Sequence, residues 1–139
     1  MSRSGYSEDC ENLGLWRGAV DRAIRGKRGQ AFLREMAAAL DAMPVKELVA
    51  DEVVRDNEHV CALGSVALAR GMDVSSLDID NGESVGGAFG IARALAQEIA
   101  FENDDDFGTR TKETPAQRWR RMRAWVSGQI FTPPTGSET

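Results

Sequence analysis

Histidine is nearly missing from this sequence: His59 is the only one in 139 residues. A hydrolytic triad or a proton relay built on imidazole has one residue to work with and no second ring to share the proton. Cysteine is almost as scarce. Cys10 and Cys61 stand far apart with no CxxC pair, which removes the zinc-ribbon and dithiol motifs. Zinc held by Cys10, Cys61 and His59 has enough donors, but no ligand spacing recommends it. In a reducing compartment both thiols are free, and Cys61, inside HVCALGSVAL, reads as a small buried hydrophobe rather than a nucleophile. Every apolar run is broken by charge or glycine well short of the roughly 18 residues that span a bilayer, and MSRSGYSEDC lacks the apolar core of a secretory signal. The expectation is a cytoplasmic chain that spans no membrane.

What is present suits one ordered domain. At 42% hydrophobic and 28% charged, with a net charge of -5, the chain lies inside the globular range, and its length suffices for a core without disulfide or metal staples. Leu13, Trp16, Val20 and Ile24 recur at helical spacing and predict a first helix over 11–25, with Arg17, Asp21 and Arg25 four apart on its other face. After Gly26 and Gly29, the residues Phe32, Met36, Leu40 and Met43 predict a second helix stopped by Pro44. So short a connection predicts a helical hairpin with Trp16 and Phe32 between its arms. KELVADEVV, RDNE and HVCAL read as helix or as hairpin. A short helix follows to Arg70 with Gly71 as its cap, then a long one over about 84–103, whose Gly86, Gly87, Ala88 and Gly90 would let another helix approach closely. Thr114, Pro115 and Gln117 form a capping box before a last helix carrying Trp119, Met122, Val126 and Ile130. The fold class is therefore mainly α, a compact bundle of about four to five helices with room for one small β-hairpin near 48–63. Residues 1–10 are expected as a flexible N-terminal segment, 11–131 as a single helical domain and 132–139 as a disordered tail.

The remaining motifs do not assemble a reaction centre. Asp78, Asp80, Asn81, Gly82 and Glu83 resemble a calcium loop but lack the later glutamate it requires, and a helix start capped by Asp80 or Asn81 accounts for them. GGxxG at Gly86, Gly87 and Gly90 has no preceding strand and no P-loop lysine. No catalytic residue, cofactor or metal is implied, and the oligomeric state stays open.

Charge, by contrast, is strongly segregated. Residues 1–34 carry +3, residues 35–106 carry -12 and residues 107–139 carry +4. One reading has the basic ends pack against the acidic middle as solvated pairs. A second makes the acidic segment a surface for a basic groove on another protein, with Asp104, Asp105, Asp106 and an exposed Trp125 as candidate partner-binding residues. The third has basic faces of the first and last helices track a phosphate backbone, through Arg22, Arg25, Lys27, Arg28, Arg120, Arg121 and Arg123. Stacking of Arg123 on Trp119 and of Arg121 on Trp125 is expected from their spacing.

The ordered strings WRGAVDRAIRGKRGQAFLREMAAALDAMP, VCALGSVALARGMD, FGIARALAQEIAFEND and ETPAQRWRRMRAWVSGQI resemble a family of small proteins of tailed bacteriophages and prophages. The RGKRGQAFLRE segment carries most of the likeness. VVRDNEHVCALG departs from it where a turn such as DGE is usual, which leaves the register of the hairpin open. The resemblance implies a phage accessory protein in the bacterial cytoplasm. Together with the small size, the acidic surface and the lack of a catalytic set, it leads to the expectation of a non-enzymatic protein that binds a host protein or complex to inhibit an antiviral defence or redirect a host process. The alternative is a small nucleic-acid-associated protein. The resemblance carries over no catalytic residue.

Overall fold

The computed structural model describes residues 13–50, 52–55, 59–74, 77, 81–104 and 112–131. Six helices appear among them: α1 (Leu13–Arg25), α2 (Lys27–Ala42), α3 (Ala62–Arg70), α4 (Gly82–Phe89), α5 (Arg93–Asn103) and α6 (Pro115–Gln129). Strands β1 (Val54–Arg55) and β2 (His59–Val60) pair antiparallel between α2 and α3, with Val54 opposite Val60 and Arg55 opposite His59. The mainly α expectation stands, with the small hairpin at its expected place. The expected segments 1–10 and 132–139 lie outside the described residues.

Most caps follow the chemistry of the sequence. Thr114 Oγ1 accepts from the Gln117 amide at 3.1 Å while Gln117 Oε1 accepts from the Thr114 amide at 2.8 Å, closing the capping box at Pro115. Asn81 Oδ1 accepts from the Glu83 and Ser84 amides and starts α4. Gly71 ends α3 in the left-handed conformation.

Two expectations about the backbone are corrected. The long helix over 84–103 is two helices, because Gly90 takes φ +76°, a conformation only glycine adopts without strain, and closes α4. The chain then folds back so tightly that a Cβ on Gly86 would lie 2.8 Å from the Ile91 carbonyl oxygen. Gly86 thus admits the start of the next helix, α5, whose Arg93 nitrogen would lie 3.2 Å from that Cβ, while nothing lies within 4 Å of the Gly87 position. The helical hairpin of α1 and α2 is also corrected. One non-helical residue, Gly26, joins them, fewer than a reversal needs, and they meet at a corner. There a Cβ on Gly29 would sit 1.9 Å from the Ala23 carbonyl oxygen, so only glycine lets the two helix ends touch. The arms part to different partners: α1 packs on α5, and α2 on α3 and α6. Trp16, half-buried, lies under the Arg93 guanidinium of α5 at 5.7 Å, whereas Phe32 meets Phe89 edge-on at 5.9 Å.

The core runs through all six helices, with Val20, Leu33, Met36, Leu40, Leu48, Val60, Val66, Leu95, Ile99, Met122 and Val126 fully buried. A buried polar knot holds the C-terminal end of α5 against the rest. Asn103 Oδ1 accepts from the Ala62 amide at 3.1 Å, and its Nδ2 donates to the Val49 carbonyl and to Asp104 Oδ1, both at 2.9 Å. Arg118 Nε donates to the Asn103 carbonyl at 2.9 Å and the side chain pairs with Glu113.

Candidate partner-binding site

The turn after α2 is built by its own residues. Pro44 ends the helix, and Lys46 Nζ folds back to donate to the Asp41 and Met43 carbonyls, satisfying helix-end acceptors that would otherwise face solvent. The same ammonium lies 5.6 Å from the centre of the Trp119 ring. Lys46 folds back along the helix end while remaining in solvent, and Pro44 and Val45 beside it are exposed as well. The following backbone is pinned on both sides: the Leu48 amide donates to the Pro115 carbonyl at 3.1 Å and the Val49 amide to the Val60 carbonyl at 2.8 Å. That last bond sets the turn beside β2 and the C-terminal end of α3.

Between these walls lies a groove of about 440 Å³ lined by Met43, Pro44, Val45, Glu47, His59 and Leu68. Val45 is 59% and Leu68 50% exposed, two of the three large hydrophobic side chains left in solvent among the described residues. Leaving about half of each such side chain in solvent forgoes about 1 kcal/mol of burial for each one, and clustered apolar exposure marks interaction surfaces. Glu47, on the rim, has no ion-pair partner among the described residues. His59 is exposed on the same groove, and Cys61, two residues on, is wholly buried with its Sγ accepting from the Gly64 amide. The thiol is the cap of α3, as a structural cysteine would be. Cys10 lies outside the described residues, and among those described no group of three His, Cys, Asp or Glu side chains is placed to hold a metal ion. No described helix is long and apolar enough to cross a membrane.

The residues singled out from charge fare differently. Asp104 is 0% exposed, because it caps the C-terminal end of α5 and is held by Asn103 Nδ2, so it is no docking surface. Asp105 and Asp106 lie outside the described residues. Trp125 is half-buried, one turn from the buried Met122, and packs on the core instead of standing free. On α6, Arg121 forms a two-pronged pair with Glu113 at 2.6 and 2.9 Å and also donates to the Glu102 and Asn103 carbonyls. Arg123 grips Asp41 with bonds of 2.7 and 2.9 Å. These two arginines are therefore structural, not a phosphate track, and neither stacks on the tryptophan expected for it. Arg120 alone of the three is exposed without a partner among the described residues. Arg22, Lys27 and Arg28 are exposed at the corner of α1 and α2, and Arg25 there pairs with Asp21 at 3.1 Å.

Internal pairing absorbs part of the charge segregation. Arg17 of α1 bonds the buried Glu98 of α5 at 2.6 Å, and Arg123 of α6 bonds Asp41 of α2, so each basic end is tied to the acidic middle. The hydrogen bond from Arg123 holds the Asp41 carboxyl below its ordinary value, and Arg70 does the same to Glu35. A lowered carboxyl pKa adds stability above the unfolded value, and this is lost as pH falls through the folded one. Asp41 is exposed and Glu35 partly so, which leaves the contribution small. Arg123→Ala should raise the Asp41 pKa back towards 3.8, read by carbon-detected NMR titration, with Glu35 unchanged. An unmoved Asp41 would mean that the pair is open in solution.

No family model, curated protein or solved structure matches this chain.

Proposed function

We propose that this chain is a non-enzymatic phage or prophage accessory protein that works in the bacterial cytoplasm by binding a host protein through the groove between the α2 turn, β2 and α3. The observation that carries the reading is the side-by-side exposure of Val45 and Leu68 in one preformed concavity edged by Glu47. Its occupant is a segment that inserts one or two apolar side chains and carries a basic residue beside them. The groove's lining belongs wholly to the -12 block of residues 35–106, which favours encounter with a cationic partner. A small-molecule site of this volume would be expected to converge several polar groups on its ligand, and here only Glu47 and His59 are available. The host setting rests on the phage resemblance of the four ordered strings and is part of this proposal, and blocking a defence complex or redirecting a host process is the outcome such binding would serve.

The test compares immobilised wild-type protein with Leu68→Asp in bacterial lysate. A host protein retained in stoichiometric amount by the wild type and reduced about tenfold or more by the variant, the loss of about 1.4 kcal/mol, supports the proposal. Equal retention, or no stoichiometric protein on the wild type, contradicts it. Leu68 is half in solvent, so the variant should fold normally.

A further inference from the structure

The opposite end of α2 carries a second surface of different chemistry. Between residues 21 and 34 the chain holds Arg22, Arg25, Lys27, Arg28 and Arg34 against the single acid Asp21, and all five cations are exposed. The end of the chain's last described segment joins them. Gln30 Nε2 donates to the Gln129 carbonyl at 2.9 Å, its Oε1 accepts from the Phe131 amide at 2.9 Å, and Arg34 donates to the Phe131 carbonyl at 3.0 Å. Phe131 is thereby fixed on the basic corner with its ring 49% exposed and the Arg25 guanidinium 5.9 Å from its centre.

These cations sit against local preference. The first turn of α2 contains Lys27 and Arg28, no acidic residue and no side-chain cap, although a helix N-terminus favours negative charge. Where a chain breaks a local rule without compensation, function is the usual reason. Lys27 and Arg34, seven residues apart, share one helix face, and Arg22 precedes Arg25 by three on α1. Arg25 and Arg34 meet Phe131 itself, and Arg22, Lys27 and Arg28 add exposed positive charge on the two helix ends that form the corner.

We propose that this corner binds single-stranded nucleic acid, with Arg22, Lys27 and Arg28 on the phosphates and Phe131 stacking a base. Cations along a backbone path with an interleaved aromatic are what sequence-tolerant single-strand binding requires. Duplex DNA offers phosphates but no free base face for Phe131. The acidic remainder of the protein opposes long polyanions elsewhere, which confines contact to a few nucleotides. With α2 about 24 Å long, the groove and the corner lie at its two ends, so a protein and a nucleic acid can be held together.

The test is fluorescence anisotropy with the full chain and a labelled thymidine oligonucleotide at low and at physiological salt. Binding should weaken as salt rises, fall about tenfold or more in the Lys27→Glu, Arg28→Glu double variant, and fall about fivefold or more in Phe131→Ala. The acidic replacements suit the α2 N-terminus, so circular dichroism should show an intact fold, and Phe131→Ala removes a half-exposed ring. Leu68→Asp should bind the oligonucleotide as the wild type does, which separates this site from the groove. No binding at low salt, or binding unaffected by the charge reversals, overturns the proposal. Equal affinity for duplex with no effect of Phe131→Ala overturns the single-strand reading, and binding only to anionic phospholipid vesicles assigns the corner to a membrane surface instead.

Discussion

Asn103→Ala is expected to cost about 3–5 kcal/mol of stability, read as a lowered urea midpoint at unchanged slope. Asn103 is 0% exposed and its amide serves three segments at once: the Ala62 amide at the start of α3, the Val49 carbonyl before the hairpin, and Asp104. Alanine leaves the Ala62 donor and the Val49 acceptor unpaired. Each orphaned buried group costs about 1–3 kcal/mol, well above the net worth of the bond that satisfied it. Arg118 and Arg121 also donate to the Asn103 carbonyl; those main-chain bonds survive the substitution, so the effect reports the side chain alone. A loss below about 1 kcal/mol would mean that water replaces the amide and that the knot is not what docks the hairpin.

The second large effect is expected at Phe89→Ala, again about 3–5 kcal/mol. Phe89 is 2% exposed at the end of α4, with its ring edge-on to Phe32 at an interplanar angle of 74°. Arg70 covers both rings, 5.6 Å from the centre of Phe32 and 6.0 Å from that of Phe89, and donates to the Phe89 carbonyl while gripping Glu35 through two bonds. One ring thus joins α2, α3 and α4. Paired with Phe32→Ala in a double-mutant cycle, it should return a coupling of about 0.5–1.5 kcal/mol, since the second truncation finds its partner already gone. Additive losses would show that the two rings are buried independently. Trp16→Ala should cost less than either, because Trp16 is only half-buried on the flank of α5.

Local chemistry was readable from the sequence wherever one short segment decides the outcome. The capping box at Thr114, the Asn81 cap and the left-handed Gly71 each depend on residues within a few positions of one another. The break at Gly90 was not readable by periodicity, because Val85, Phe89, Ala92, Ala96 and Ile99 keep helical spacing across it; a glycine inside such a stripe is as compatible with a weak helix as with a left-handed end. The corner at Gly26 escaped for a related reason, since a short connection between helices predicts proximity and not the direction of the second arm. Asp104 misled because it begins a run of three acids, and only the fold shows that the first of them closes α5 against the knot around Asn103. The basic ends do meet, but through Phe131 and the residues of the α1–α2 corner, while Arg118, Arg121 and Arg123 of α6 are spent on Glu113 and Asp41.

The groove had no sequence signature. Its walls come from residues 43–47, from His59 and from Leu68, three stretches that nothing but the fold brings together. The available hints were small: Val45 is an apolar residue in a turn between Pro44 and Lys46, and Leu68 stands among small side chains near the end of α3. Exposure turns those hints into an argument, because among the described residues only Val45, Leu68 and Phe131 of the large apolar side chains are exposed, and the first two line one groove.

The most direct test of the binding reading places a photo-activated cross-linking amino acid at position 68 of the full chain, with the same group at position 120 on the exposed face of α6 as the control. Irradiated in bacterial cells, position 68 should give one dominant adduct to a host protein and position 120 should not. Val45→Asp introduced into the position-68 protein should abolish that adduct. No adduct from position 68, or the same adducts from both positions, would contradict a partner seated in the groove.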